Sequence, residues 1–81
     1  MRYGAETHLA PEEVVTRARR FFGPGGQVGL TETAPHADGV SFAGPDGGVV
    51  VTARAANGMT TMTILSREYD YWAERFIRDL S

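Results

Sequence analysis

The sequence predicts a two-layer α+β fold, β-α-β-β-β-β-α, with one antiparallel sheet and two helices on one of its faces. Apolar residues recur at helical spacing near the start (Val14, Ala18, Phe21, Phe22) and again at the end (Tyr69, Trp72, Ala73, Phe76, Ile77, Leu80). Between them lie four short segments rich in Val, Thr and Met, punctuated by Gly-containing turns. Helices kept apart from a run of hairpin-linked strands pack as a layer on one side of an antiparallel sheet, and the other side stays uncovered.

The first element is a strand. From Tyr3 to Leu9 the pattern alternates, with Tyr3, Ala5, Thr7 and Leu9 on one side and Arg2, Gly4, Glu6 and His8 on the other. Pro11 then opens a helix at the position where its missing N–H costs nothing. Glu12 and Glu13 face the positive end of the helix dipole, and Arg17, Arg19 and Arg20 the negative end. Glu13 and Arg17 stand in the favoured i,i+4 order. The buried stripe is Val14, Val15, Ala18, Phe21 and Phe22; Gly23-Pro24-Gly25-Gly26 ends the helix through a left-handed Gly cap.

Gln27 to Ala34 reads as a second strand, with Val28 and Leu30 on one face and Glu32 falling on that same face. Glu32 therefore marks a bend, the rim of the core or a buried carboxylate. Pro35-His36-Ala37-Asp38-Gly39 reads as a turn, followed by alternating Val40 and Phe42 and a second turn, Gly44-Pro45-Asp46-Gly47-Gly48. Val49 to Ala55 and Met59 to Ser66 are strands joined by Asn57-Gly58, the strongest two-residue hairpin signal. The last helix starts near Asp70, a favoured N-cap, with Ser66 as the alternative start, and carries an i,i+4 pair between Glu74 and Arg78 on its outer face.

A chain of 81 residues makes a single domain, 1–81. A 42 % hydrophobic share is enough to build a core and too high for disorder. With no cysteine, disulfides and thiolate metal sites are excluded. The net charge of −2 gives no steering toward nucleic acid, and the three helix arginines are accounted for by the dipole. No stretch approaches a membrane span and no apolar leader follows the N-terminus, so the expected location is the cytoplasm.

Pro11-Glu12-Glu13-Val14-Val15 followed by Ala18 and Phe21-Phe22, and Tyr69-Asp70 followed by Arg75-Phe76-Ile77 and Leu80, look like small uncharacterised bacterial proteins of similar length. The element order resembles the half-repeat of the TATA-binding-protein-like fold and a reduced helix-grip (START-like) domain. The resemblance implies strand order 1-5-4-3-2 and, from the helix-grip side, a small apolar ligand held between the sheet and the last helix. It carries over no catalytic residue.

Three functional expectations follow. The leading one is a non-enzymatic module that self-associates, as a homodimer, and binds a protein or ligand partner. If Val40, Phe42, Val49, Val51, Met62 and Ile64 face the helices, the reverse side carries Thr31, Thr33, Ser41, Ala43, Val50, Thr52, Arg54, Thr61, Thr63 and Leu65. That surface holds little charge, and its small side chains let a second sheet approach closely. The alternative is a carrier of a small apolar ligand in a groove lined by Tyr3, Phe42, Met62, Trp72 and Phe76. The third is a small enzyme using Glu6, His8 and Glu32, which are expected not to converge. No cofactor or metal is implied: Glu6 and His8 are too few for a zinc site, and the Gly-rich turns lack the spacing and Lys of a phosphate loop.

Overall fold

The chain runs β1 (Arg2–Thr7), α1 (Pro11–Phe22), β2 (Thr31–His36), β3 (Gly39–Ala43), β4 (Gly48–Ala56), β5 (Met59–Arg67) and α2 (Asp70–Leu80) in a computed structural model that describes residues 1–80. The five strands form one antiparallel sheet in the order β1-β5-β4-β3-β2, so the first strand lies beside the last. This is the predicted α+β class, with the strand order that the resemblance implied.

Register fixes which side chains face the helices. Val40, Val51, Ile64 and Tyr3 stand opposite one another across four strands. Phe42 stands opposite Val49, and Ala53 opposite Met62. All these strand residues except the half-buried Tyr3 are buried, together with Val14, Ala18 and Phe22 of α1 and Ala73 and Phe76 of α2. The two helices thus share one core on one face, α1 over β3 and β4, α2 over β1 and β5.

Aromatic rings tie the layers together. Phe22 is fully buried, with ring centroids 5.8 Å from Phe42 of the sheet and 5.2 Å from Phe76 of α2. Phe21 bridges to Phe76 at 5.4 Å and to Trp72 at 6.1 Å. These separations fall in the range for favourable offset and edge contacts.

Three local expectations are corrected. The segment Gln27–Leu30 is not extended, because its amides serve α1: Val28 N–H donates to the Phe21 carbonyl at 3.0 Å and Leu30 N–H to the Phe22 carbonyl at 2.7 Å. Carbonyls of the last helical turn lack intrahelical partners, and this segment supplies them. The cap residue Gly23 is extended rather than left-handed; the positive φ appears at Gly25 (79°) and Gly29 (76°). Finally, β2 runs through Pro35 and His36, leaving only Ala37-Asp38 as the hairpin loop. Pro35 is tolerated because β2 is an edge strand, where a missing donor breaks no interior ladder. Just before it, Glu32 opposes Phe42 and Ala34 opposes Ser41, so Thr33 is the extra residue of a bulge.

The Asn57-Gly58 hairpin forms as read, with φ of 52° and 80°, the paired positive values of a type I′ turn. Glu68 also takes a positive φ, 73°, in the short link into α2. There Tyr69 N–H donates to Ser66 Oγ at 3.2 Å and Ala73 N–H to the Tyr69 carbonyl at 3.0 Å.

Candidate functional site: the uncovered face of the sheet

Strand alternation sends half of the side chains of the sheet away from the helices. Register sorts them into rows. One row reads Ser41, Val50, Leu65, Arg2 across β3, β4, β5 and β1. The next reads Gly39, Thr52, Thr63, Gly4, and a third Arg54, Thr61, Glu6. Thr31 and Thr33 continue the face onto β2. The middle row is a trough of low relief, since its two glycines carry no side chain and its two threonines are short.

Beside this trough stands the apolar pair Val50–Leu65, directly opposed on β4 and β5. Leu65 is 48 % exposed, one of three large apolar side chains left in solvent among the described residues, with Met1 and Tyr71. A shallow hollow of about 580 Å³ opens at this end of the face, lined by Arg2, Thr33, Ser41, Val50 and Leu65 among others. The face is polar at its opposite end, where Arg54 Nε donates to Asp38 Oδ2 at 2.9 Å. That hydrogen bond, opposed in part by desolvation and helped by the guanidinium charge, holds the Asp38 carboxyl below its ordinary value of 3.8.

His36 also lies on this face, with its Nε2 hydrogen-bonded to Ser41 Oγ across the β2–β3 hairpin. Sequence reading treated His36 as turn chemistry and missed this contact. An imidazole on a hydroxyl is the first contact of a nucleophile–base pair. Here both residues sit on an open sheet surface, and among the described residues no third side chain bonds the other ring nitrogen.

The residues of the enzyme expectation are dispersed. Glu6 lies on β1 and Glu32 on β2, the two edges of the sheet, about 19 Å apart at the usual strand spacing. They also face opposite ways: Glu6 shares the uncovered face, whereas Glu32 points to the helix layer, where Arg19 grips it through Nε–Oε1 at 3.1 Å and Nη2–Oε2 at 3.3 Å. Of the three readings of Glu32, the rim of the core is observed, next to the bend that the Thr33 bulge makes, and the buried carboxylate is not. His8 lies past the end of β1, exposed in a bend. Among the described residues no three His, Asp or Glu side chains gather as metal ligands.

The expected groove residues are mostly interior. Phe42, Met62 and Phe76 are at most 3 % exposed, while Tyr3 and Trp72 are partly buried against the same core. Phe21 and Phe22 fill the space beside them. Clefts on the helix side open elsewhere: one of about 580 Å³ between the C-terminal ends of the helices, lined by Arg20, Phe21, Gln27, Phe76 and Asp79, and one of about 610 Å³ between α1 and the β2–β3 hairpin. The predicted Glu74–Arg78 pair is replaced. Glu74 accepts a hydrogen bond from the Tyr3 hydroxyl at 3.2 Å, and the i,i+4 pair of α2 is Arg75–Asp79 at 3.6 Å. Burial of the Tyr3 phenol, followed by the Glu74 hydrogen bond and the nearby charges of Asp70 and Glu74, raises its pKa.

Among the described residues no helix is long and apolar enough to cross a membrane. No family model matches the chain, and neither a curated protein nor a solved structure matches it.

Proposed function

We propose that this chain is a non-enzymatic binding module that self-associates and offers the uncovered face of its sheet to a protein or ligand partner. The observation that carries the reading is the exposed Leu65, paired with half-buried Val50, beside the flat Gly39-Thr52-Thr63-Gly4 row. An apolar contact next to low relief suits a close, sheet-like approach by another surface. The dispersal of Glu6, His8 and Glu32 weighs against the enzyme alternative. The packing of Phe42, Met62 and Phe76 weighs against a ligand held between sheet and last helix. The strand order supports the likeness to a TATA-binding-protein-like half-repeat, and a cysteine-free chain is compatible with work in the cytoplasm.

Sedimentation equilibrium at high micromolar concentration tests the self-association, and Leu65→Glu tests the face. The expected results are a species heavier than 8.8 kDa for the natural chain and loss of partner capture for the variant. A clean monomer at every concentration refutes self-association.

A further inference from the structure

We propose that two copies of this chain join edge to edge through β1, antiparallel and with Gly4 facing Gly4, so that Arg2 of each copy opposes Glu6 of the other and two five-stranded sheets become one. The proposal rests on the self-association reading and moves that contact from the face of the sheet to its edge.

The sheet has two edges, and they differ. β2 carries a bulge at Thr33 and a proline at position 35, both of which blunt a strand against further pairing. β1 carries neither. It pairs without interruption from Arg2↔Leu65 to Thr7↔Thr60, and its outer side is left unpaired.

Backbone parity then restricts how a second copy can attach. Ser66 N–H donates to the Met1 carbonyl at 2.8 Å, and Met1 N donates back to the Ser66 carbonyl, so these two residues form a hydrogen-bonded pair. In an antiparallel ladder such pairs alternate with non-bonded ones. Tyr3, Ala5 and Thr7 therefore turn their peptide groups into β5, and Arg2, Gly4 and Glu6 turn theirs outward. A two-fold pairing must match outward groups with outward groups, and only registers centred on Tyr3, Gly4 or Ala5 then pair two or more of Arg2, Gly4 and Glu6 with one another.

Side chains choose among the three. Centred on Tyr3, Arg2 meets Gly4, and the opposite charges of Arg2 and Glu6 do not face one another. Centred on Ala5, Gly4 meets Glu6 and Arg2 meets His8, which lies beyond the strand. Centred on Gly4, all three outward residues are used: Gly4 meets Gly4, and Arg2 meets Glu6 twice. Opposite charges directly across an antiparallel pair attract, while like charges in that place repel. Arg2, Gly4 and Glu6 are all exposed, and none of them is engaged in an ion pair among the described residues. On the helix side the same register sets Tyr3 opposite the small Ala5, so bulk meets space.

The symmetry axis of such a pair stands perpendicular to the sheet. Both uncovered faces then look the same way, and the Gly39-Thr52-Thr63-Gly4 row runs on into its equivalent in the second copy. The surface offered to a partner is doubled without being consumed by the dimer.

A charge-swap series read by sedimentation equilibrium tests the register, with circular dichroism confirming the fold of each variant. Arg2→Glu alone and Glu6→Arg alone each place like charges across the seam and are expected to weaken the dimer about tenfold. The double variant restores opposite charges and is expected to recover most of the loss. Gly4→Pro removes a donor from the free edge, where a proline is tolerated, and is expected to leave a folded monomer. Leu65→Glu, on the face, should leave the dimer intact. A dimer lost in Leu65→Glu but kept in Gly4→Pro overturns the edge and preserves self-association. Failure of the double variant to recover overturns the register. A natural chain that is monomeric overturns both this proposal and the reading beneath it.

Discussion

Replacing Phe22 by Ala should be the most damaging single truncation in the core. Phe22 has no exposed surface, and its ring lies 5.0 Å from Phe21, 5.8 Å from Phe42 and 5.2 Å from Phe76, which links α1 to both the sheet and α2. Truncating a buried Phe to Ala removes about 3–5 kcal/mol through lost transfer energy and the cavity left behind. The whole fold, at the usual rate per residue, is stable by about 4–12 kcal/mol. One substitution therefore takes a quarter or more of the total, and the variant is expected to be strongly destabilised. Phe21→Ala is the control. Phe21 is only half-buried, though it touches Phe22, Trp72 and Phe76, and should cost about half as much. Urea unfolding followed by circular dichroism measures both. A Phe22→Ala loss below about 1 kcal/mol, or a Phe21→Ala loss equal to or above that of Phe22→Ala, would refute the assignment of Phe22 as the joint between the layers.

Two other perturbations have defined outcomes. A Cβ at Gly39 would overlap the Val51 carbonyl oxygen, so Gly39→Ala must push β3 away from β4. The expected cost is about 1–3 kcal/mol in chemical denaturation, with the largest NMR shift changes at Val51 and Thr52. The Asp38–Arg54 contact predicts a pH dependence. Because Arg54 holds the folded-state pKa of Asp38 below 3.8, its contribution is present above that value and disappears as pH falls through the lower folded-state pKa. An acid titration of the Arg54 Nε–H resonance should show that step, and Asp38→Asn should abolish it.

Features set by adjacent residues were legible in the sequence. Asn57-Gly58 carries its own conformational preference, and strand alternation from Val40 to Leu65 sorted the two faces correctly. Features set by competition for partners were not. Gln27–Leu30 has the alternation of a strand, but its amides are drawn to the open carbonyls of α1, a use that periodicity does not register. Pro35 looked like a turn because proline breaks interior strands; only the strand order reveals that β2 is an edge. That misplacement also hid the His36–Ser41 contact. A loop at Ala37-Asp38 would have set His36 opposite Gly39 and beside Ser41. Glu74 had two partners within reach, Arg78 along the helix and Tyr3 across the layers, and spacing alone cannot rank them.

The extra residue at Thr33 and the ring of Pro35 have an outcome that reaches past the fold of a single molecule. Where both ends of a sheet accept a newcomer, growth by stacking has no natural stop, and fibres are the result. Here the β2 end is spoiled for pairing, so in the proposed dimer joining at β1 leaves no second free edge for the sheet to grow from. On the proposed edge pairing, the assembly doubles once and then terminates.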